Sequence, residues 1–401
     1  MSELYSLPNG WEWKKLGKIA KLQNGFAFKS KLFVNDGLPI VRIKNIKNEK
    51  VLLDDVVYFN VEDYGKKLDS YQIKKNDILI AMSGATTGKI GLYDTEEISY
   101  LNQRVGLFRI ENSNLRSYLF YFLSTQIEKN LELSLGAAQP NLSTEQINNI
   151  ELPLPPFEEQ KRIVAKLDNL FAKIDKAIAL HQKNIDEADI FMESVLNDVF
   201  VELNGVYQKR QLDSFDKKMS SGGTPSRKEK LYWDNGTIDW FSSGELNQLY
   251  TLPSKEKITQ LGLEKTSTKL FSKGTLLIGM YDTAAMKMSI LSNDGSCNQA
   301  IVGFKSDESE LNILFLKYQL EYLKKDILEQ RQGVRQQNLN LSKIKNIEIE
   351  YPPLKTQQKV VSYLDEISNK MEKIKNLQKE KMQSLKELKA SILDKAFKGE
   401  L

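Results

Sequence analysis

Hydrophobic and polar residues follow two different patterns along this chain. Short runs rich in Val, Ile, Leu and Tyr, separated by Gly, Asn and Asp, are typical of strands joined by turns. In the first part of the chain these runs are 38–46, 77–84, 89–94 and 104–110. Two further segments, 115–133 and 311–330, place apolar residues three and four positions apart, which predicts helices packed on a sheet. The first pattern therefore predicts mixed α and β globules.

The second pattern covers two long stretches, from about 157 to 203 and from about 354 to 397, which contain neither Pro nor Gly. Each stretch predicts one long helix. The apolar stripes comprise Leu167, Leu170, Ile174, Ile178, Ile185, Met192, Val195 and Val199 in the first, and Leu364, Ile367, Met371, Ile374, Leu385, Leu388 and Ile392 in the second. Such a stripe requires a partner helix. We expect the two helices to lie side by side and antiparallel, as a spacer between two globules.

A sequence repeat connects these patterns. The stretch IELPLPPFEEQKRIVAKLD at 150–168 returns 197 residues later as IEIEYPPLKTQQKVVSYLD at 347–365. The match continues upstream, because 136–150 aligns without gaps on 333–347, 74–82 pairs with 272–280 and 102–110 pairs with 298–306. We therefore expect two copies of one unit. Residues 1–150 and 205–347 are the predicted globules, and 151–204 and 348–401 are the predicted helical spacer regions.

Composition restricts the class of protein only slightly. The chain has 57 basic and 53 acidic residues, a net charge of +4, so a polyanionic partner would have to bind local basic patches. The single cysteine, Cys297, excludes an internal disulfide. Neither an apolar run of membrane length nor a charged-then-apolar amino terminus is present, and we expect a soluble, cytoplasmic protein without a membrane partner.

Enzymatic signals are weak. His181 is the only histidine, so a His/Cys metal cluster or a Cys-His nucleophile pair has almost no material, and a structural role is expected for His181. The segment SGATTGKIG at 83–91 resembles a phosphate-binding loop, but its glycines are too close together and Ile90 replaces the required Ser or Thr. Carboxylates are scattered without an acid/base spacing. No catalytic residue and no metal ligand is predicted.

The turns after the predicted strands carry better candidates. Asn, Gln, Lys and Arg suit base edges, whereas Ser and Thr suit phosphates. Each turn taken alone could be an ordinary polar surface turn, but the two copies share a frame while their turn contents differ, as expected of two different recognition surfaces. The candidate DNA-binding residues are Lys44, Asn45, Ser83, Thr86, Thr87, Lys89, Asn102, Gln103, Arg104, Ser242, Ser243, Tyr281, Asp282, Thr283, Lys287, Asn298, Gln299, Arg331, Arg335 and Gln336.

The combination of NDILIAMSGATTGKIG, LNQR, GAAQPNLSTEQINNIELPLPPFEEQKRIVAKLD and its repeat at 333–365 resembles the specificity subunit of type I restriction-modification enzymes over essentially the whole chain. The resemblance implies an α+β fold, with two repeated mixed α/β DNA target-recognition domains joined by two long antiparallel coiled-coil helices. Each domain would read one half of a split target, and the helices would set the gap. The second loop, MYDTAAMK at 280–287, lacks the glycines of its counterpart, so an equivalent backbone contact is not predicted there.

The resemblance also implies partners. Specificity subunits bind double-stranded DNA and dock methyltransferase (modification) subunits and restriction/motor subunits, and they have no catalytic activity of their own. No cofactor is expected on this chain, and S-adenosylmethionine is expected in the partner methyltransferase. Two other readings stay open on the residues alone. One is a protein-protein adaptor with a coiled-coil spacer and no DNA specificity, and the other is an enzyme with an unfamiliar carboxylate site.

Overall fold

A computed structural model describes residues 5–65, 68–134, 141–329 and 339–401, without the side chains of Leu133 and Asp282. The chain divides into two compact units. Unit 1 contains residues 1–181 together with 379–401, and unit 2 contains residues 182–378. Each unit therefore combines one globular region with a segment from each of the two long helices.

Unit 1 begins with alternating short strands and turns, followed by helices. Its strands are β1 (Glu12–Lys15), β2 (Leu22–Asn24), β3 (Leu38–Val41), β4 (Ile46–Lys47), β5 (Glu49–Val51), β6 (Val57–Phe59), β7 (Gln72–Ile73), β8 (Ile78–Ala81), β9 (Ile90–Leu92), β10 (Ser99–Leu101), β11 (Val105–Phe108) and β12 (Glu151–Leu154). Its helices are α1 (Leu16–Ile19), α2 (Ser113–Thr125), α3 (Ile127–Ser134), α4 (Thr144–Asn148) and the first part of α5 (Phe157–Leu203). The four strand segments expected from the apolar runs are confirmed as β3, β8, β9 and β11.

Three sheets organise unit 1. The largest has the order β2-β11-β8-β9-β5-β4, the second has the order β6-β3-β10-β7, and β1 pairs with β12. Strands β8 and β11 are buried on both faces. One face packs against α2 and α5, and the other packs against residues of the second sheet, such as Val41 and Leu101. The antiparallel β1–β12 pair joins the amino-terminal segment to the residues that lead into α5.

Unit 2 repeats this plan with fewer strands. Its strands are β13 (Lys209–Gln211), β14 (Ser220–Ser221), β15 (Ile238–Phe241), β16 (Glu256–Ile258), β17 (Leu276–Gly279), β18 (Met288–Ile290), β19 (Gly295–Cys297), β20 (Ile301–Phe304) and β21 (Glu348–Glu350). Its helices are α6 (Gln260–Glu264), α7 (Ile313–Glu329) and α8 (Leu341–Lys345). It also contains the second part of α5 and the first part of α9 (Leu354–Lys398), whose remainder belongs to unit 1. The sheets have the orders β14-β20-β17-β18, β16-β15-β19 and β13-β21. They match the sheets of unit 1 strand for strand, except that the described residues of unit 2 include no counterparts of β4, β5 and β7.

Helix starts are encoded locally and repeat between the units. In unit 1, Ser143 caps α4 by accepting a hydrogen bond from the Gln146 amide at 3.1 Å. At the matching position of unit 2, the Asn340 side chain accepts from the Lys343 amide at 2.9 Å and caps α8. Ser and Asn are favoured at this position because their oxygens satisfy amides that have no partner within the helix.

The two long helices have the predicted character and similar lengths. Helix α5 has 47 residues and α9 has 45, or about 70 Å each at 1.5 Å per residue. Their antiparallel course is visible within each unit, because contacts further along α5 fall on earlier residues of the carboxy-terminal segment. In unit 1, Arg162 contacts Leu401, and further along α5 Asp175 Oδ1 lies 3.3 Å from Lys389 Nζ. In unit 2, Asn184 contacts Gln378, and further along α5 Asp189 Oδ1 lies 3.0 Å from Lys375 Nζ.

The apolar stripe predicted on the second long helix is wrong at two positions. Ile374 is 41% exposed and Leu388 is 49% exposed. An α-helix turns 100° per residue, so a strict three-and-four repeat moves off the contact face over several turns. The face that begins at Leu364 is continued by Lys375, Lys389 and Leu393, with both lysines 23% exposed. Their aliphatic stems cover apolar surface while their ammonium groups reach the other helix.

The single helix predicted over 115–133 is divided in two. Helix α2 ends at Thr125 and α3 begins at Ile127. The hydroxyls of Ser124 and Thr125 donate to the carbonyls of Tyr121 and Phe122, both at 2.7 Å. Hydroxyls that bond to the preceding turn compete with the backbone ladder, which accounts for the interruption at Gln126.

Candidate nucleic-acid interface

Three turns meet at one end of the globule in unit 1. The first turn (42–45) follows β3, the second turn (82–89) joins β8 to β9, and the third turn (102–104) joins β10 to β11. The Met82 amide donates to the Arg104 carbonyl at 2.9 Å, and the Asn102 amide donates to the Val41 carbonyl at 3.2 Å. These bonds hold the three turns together as one continuous surface.

The corresponding turns of unit 2 meet in the same way. They cover 242–245, 280–287 and 298–300. The Met280 amide donates to the Ala300 carbonyl at 2.9 Å, and the Asn298 amide donates to the Phe241 carbonyl at 3.0 Å. Both units therefore present three turns in the same arrangement, and the backbone bonds that connect them are equivalent.

The second turn is closed by equivalent backbone hydrogen bonds in both units although its residues differ. In unit 1 the Ala81 amide donates to the Lys89 carbonyl at 2.8 Å, and in unit 2 the Gly279 amide donates to the Lys287 carbonyl at 2.8 Å. Gly88 has a φ of +83° and Met286 has a φ of +59°. The loop 280–287 keeps this closure without the glycines of its counterpart, and the expectation that its backbone makes no equivalent contact stays a prediction. Buried Met286 adopts the left-handed conformation because the surrounding hydrogen bonds and its own burial outweigh the strain.

Some of the predicted contact residues build the turns instead of facing outward. Asn45 is 1% exposed, accepts from the Arg42 amide at 2.9 Å and donates to the carbonyls of Leu52 and Asp55. Thr87 is 2% exposed and donates to the Gly84 carbonyl at 2.7 Å. We correct the prediction for these two side chains, because their polar groups are buried and already satisfied within the fold.

The paired asparagines of the third turn also stabilise their own backbone. The Asn102 side-chain oxygen accepts from the Arg104 amide at 3.3 Å, and the Asn298 oxygen accepts from the Ala300 amide at 3.0 Å. Both asparagines remain half-buried, and the glutamine that follows each of them is exposed. The repeated Asn-Gln frame is therefore a turn-forming element that places Gln103 and Gln299 on the surface.

The predicted residues of unit 1 that face outward are Lys89, Gln103 and Arg104. Lys44 is half-buried and its ammonium group pairs with Asp55. Ser83 and Thr86 are half-buried, with their hydroxyl oxygens inside the turn. Exposed Lys, Gln and Arg side chains can contact phosphates and base edges without moving the backbone.

Unit 2 presents a different set. Thr283 and Gln299 are exposed, while Ser243 and Tyr281 are half-buried, with Tyr281 packed against the core. The Ser242 hydroxyl donates to Glu245 Oε2 at 2.7 Å, and the half-buried Lys287 donates to the Asn247 side chain at 3.0 Å. The side chain of Asp282 and the residues Arg331, Arg335 and Gln336 lie outside the described residues.

Further residues that are not among the predicted DNA-binding candidates also lie on or beside these turns. Lys47 is exposed beside the first turn of unit 1, and Asn247 and Gln248 are exposed beside that of unit 2. Gly25 and Gly222 are also essential to the surface. A Cβ atom on Gly25 would lie 2.1 Å from the Asn102 carbonyl oxygen, and one on Gly222 would lie 2.1 Å from that of Cys297. The signal for these glycines was present, since they occupy matching positions of the repeat.

The charge around the first turn differs between the units. In unit 1 a hydrogen bond from Lys44, assisted by Arg42 and Lys47, holds the pKa of the Asp55 carboxyl below its usual range. At the matching turn of unit 2 the Ser242 amide donates to the carboxylate of Glu245, so the turn itself carries a negative charge. The two surfaces therefore share a backbone but have different electrostatic character, which is the requirement for reading different sequences.

Both units match one protein family. The family described as type I restriction modification DNA specificity domain matches residues 8–187 and again residues 205–381. This chain belongs to that family.

Curated relatives agree with the assignment. The chain is 32% identical over 203 residues to the type I restriction enzyme MjaVIII specificity subunit of Methanocaldococcus jannaschii, a match that covers 49% of this chain and 47% of that protein. It is 25% identical over 428 residues to the StySPI specificity subunit of Salmonella potsdam, covering 98% and 90%. The first of these matches thus spans about half the length of the relative, whereas the second spans nearly all of both chains.

A solved structure supports the fold. A chain from a study of complex assembly and conformational transition of the type I R-M system covers 99% of this chain with a TM-score of 0.71 at 21% identity. The predicted fold class, two repeated mixed domains joined by two long antiparallel helices, is confirmed. No helix within the described residues is long and apolar enough to cross a membrane. Within the same residues, no group of three His, Cys, Asp or Glu side chains could hold a metal ion.

Proposed function

We propose that this chain is the non-catalytic DNA sequence-recognition subunit of a type I restriction-modification enzyme. The observation that carries the proposal is the duplicated surface. Each unit holds three turns by the same backbone bonds but presents different side chains, and each unit separately matches the family of DNA specificity domains. Two such surfaces on one chain suit a split target, with each unit reading one half.

The proposed division of labour follows the repeat. Residues 1–150 and 205–347 are the target-recognition domains, and residues 151–204 and 348–401 are the helical spacer regions. In the first domain Lys89, Gln103 and Arg104 are the leading candidates for DNA contact, because they are exposed on the three-turn surface. In the second domain the leading candidates are Thr283 and Gln299, which are exposed on the equivalent surface.

The proposed partners follow from the relatives. Their names describe specificity subunits of restriction enzymes, and a solved chain of the same fold belongs to a type I R-M assembly. We therefore assign to this chain double-stranded DNA, methyltransferase subunits and restriction/motor subunits as partners. S-adenosylmethionine belongs to the methyltransferase, which acts on a base removed from the stack, and the complex works in the cytoplasm.

Selection from randomised duplexes tests this function. The chain is purified with its methyltransferase and enriched sequences are determined at physiological salt, since affinity depends strongly on ionic strength. We expect a motif of two parts separated by a fixed gap. Enrichment of no sequence, with the methyltransferase demonstrably bound, would contradict the proposal and favour a protein-protein adaptor.

Two substitutions, one in each unit, assign the half-sites. Arg104→Ala in the first unit and Gln299→Ala in the second should each relax one half of the motif and leave the other unchanged. A lost base contact changes discrimination by about 1–3 kcal/mol, or roughly 5- to 150-fold. Glu193→Ala, at an exposed position of α5, serves as the control and should leave both halves intact. Relaxation of both halves by one substitution would contradict the assignment of one half-site to each unit.

A further inference from the structure

A duplicated polar contact joins each recognition domain to the long helix that follows it in the chain. In unit 1 the Tyr121 hydroxyl of α2 donates to Asp168 Oδ1 of α5 at 2.5 Å. In unit 2 the Tyr318 hydroxyl of α7 donates to Asp365 Oδ1 of α9 at 2.6 Å. Both partners of each bond recur at the same interval of 197 residues. The contact therefore belongs to the repeated plan and is independent of the differing turns.

The same domain helices make a second contact with the end of the other long helix. In unit 1, Phe397 of α9 packs edge-on against Tyr118 and Phe122 of α2, with ring centroids 5.3 and 5.4 Å apart. In unit 2, Phe200 of α5 packs against Phe315 and Tyr322 of α7 at 5.7 and 5.4 Å.

These two phenylalanines are also repeat equivalents. Phe397 is 4% exposed and Phe200 is 1% exposed. Each domain helix is thus fixed at two points that lie on two different long helices. A single contact would leave the helix free to pivot, whereas two contacts on different supports remove that freedom.

The tyrosine hydroxyls remain hydrogen-bond donors at neutral pH. Burial, followed by the bond to Asp168, raises the pKa of Tyr121 above its ordinary value. Burial, followed by the bond to Asp365, does the same for Tyr318. A bond from a neutral hydroxyl to a charged carboxylate is stronger than one between neutral groups, and it is directional.

From this geometry we infer that the Tyr121–Asp168 and Tyr318–Asp365 bonds, with the Phe397 and Phe200 contacts, are positioning contacts that set the gap accepted between the two half-sites. The inference rests on the proposed function. A displacement of about 3.4 Å along DNA moves a domain by one base pair. A small pivot of the domain on its helix would therefore make a gap one base pair longer or shorter acceptable, while base reading by the turns would continue.

The experiment uses the complete chain with its methyltransferase. Duplexes that carry the two selected half-sites at the preferred gap, and at gaps one and two base pairs longer or shorter, compete for the complex. Tyr121→Phe and Tyr318→Phe each remove only the donor. Tyr363→Phe is the matched control, because Tyr363 lies on α9 with its side chain 52% exposed.

We expect each positioning variant to lower the preference for the correct gap about fivefold, part of the effect of a hydrogen bond to a charged group. The half-site sequences should not change, and Tyr363→Phe should behave as the unsubstituted chain. Asp168→Asn, which keeps the volume and an acceptor, should give an intermediate loss and provides a second variant if Tyr121→Phe folds poorly.

Three outcomes would overturn the inference. An unchanged gap profile in both Tyr→Phe variants would overturn it directly. An equal loss of affinity at every gap would assign the contacts to stability alone. Selection of no split motif by the unsubstituted complex would overturn the proposed function, and this inference with it, so the two failures are distinguishable.

Discussion

The turn after β3 in unit 1 is closed by the neutral side-chain oxygen of Asn45, whereas the matching turn after β15 in unit 2 is closed by the charged carboxylate of Glu245. The Arg42 amide donates to Asn45 at 2.9 Å, and the Ser242 amide donates to Glu245 at 2.9 Å. Any side-chain oxygen of suitable reach maintains this turn, so its charge is free to differ. The scaffold can therefore carry two recognition surfaces without changing its backbone.

The opposite end of the strands shows a second difference. In unit 1, Arg109 follows β11 and forms two hydrogen bonds with Asp77, at 2.9 and 2.6 Å, next to the start of β8. In unit 2 the matching positions hold Lys305 and the buried Thr275, and Lys305 donates instead to the Lys273 carbonyl at 2.6 Å. The same strand pair is closed by an ion pair in one unit and by a hydrogen bond from a lysine to a backbone carbonyl in the other.

The largest expected effect tests what the units share. Leu167→Ala and Leu364→Ala each remove a fully buried side chain at matching positions of the two long helices. Each change should lower the free energy of unfolding of its own unit by about 2–5 kcal/mol. Hydrogen exchange of β8 and β17 should show the effect of each change in one unit only. Accelerated exchange of both strands by either change would mean that the units unfold together.

A smaller effect distinguishes the two strand closures. Asp77→Ala leaves the Arg109 guanidinium without its carboxylate and should destabilise unit 1 by about 2 kcal/mol, a value reduced because Arg109 is 38% exposed. Lys305→Met in unit 2 removes the donor to the Lys273 carbonyl and should cost about 1 kcal/mol or less. Urea titration followed by hydrogen exchange in each unit measures both. Equal losses would show that the Asp77–Arg109 ion pair does not stabilise unit 1 more than the Lys305 hydrogen bond stabilises unit 2.

The second turn provides a third test. Gly88→Ala forces a Cβ to within 2.8 Å of the Ile127 carbonyl oxygen at a φ of +83°, and should destabilise unit 1 by about 1–3 kcal/mol. Met286→Gly relieves strain in unit 2 but removes a buried side chain, so it should also destabilise. Thermal unfolding measures both changes. A stable Gly88→Ala variant would contradict the view that neighbouring backbone restricts only the first of these turns.

The smallest effect concerns pH. In unit 1 the second sheet packs the aromatic rings of Phe28 and Phe59 together, whereas in unit 2 Arg227 lies 3.9 Å over Trp233 and bonds to Glu256. The bond from Arg227 holds the pKa of Glu256 below its usual range. Its stabilisation is present above the pKa of an unfolded glutamate, about 4.3, and is lost as pH falls through the lower folded value.

Glu256 is 46% exposed, so this contribution is below about 1 kcal/mol. Urea midpoints of the unsubstituted chain and of Glu256→Gln should differ slightly at pH 7 and converge between about pH 5 and pH 3. A difference that stays constant over this range would remove Glu256 as the source of the pH dependence.

Several features of the fold could be read directly from the residues. The absence of Pro and Gly from about 157 to 203 predicted helix α5 (Phe157–Leu203), because helix-compatible residues over such a length have no competing structure. The strand runs predicted β3, β8, β9 and β11, because apolar residues bounded by Gly, Asn and Asp form buried strands. The contact face of α9 was less predictable, since Lys375 and Lys389 are polar by type but bury their stems.

The recognition surface was predictable by region but not by side chain. The segments around Lys44, Ser83 and Asn102 were correctly expected to be turns, because their residue types favour turns. Whether a given polar side chain faces outward depends on its bonds to distant segments. Asn45 turns inward because the carbonyls of Leu52 and Asp55 are within its reach, and neither contact is visible in a local pattern.

By itself the sequence determined the repeat, the two long helices, the strand segments and, through the repeated motifs, the family. These features depend on residue type and spacing, which are local properties of the chain. Only the tertiary structure decided which residues close the turns, which residues face outward, and where each recognition domain contacts the two long helices. Those features depend on contacts between segments far apart in the chain, such as Tyr121 with Asp168 and Phe397 with Tyr118, and the folded core brings them together.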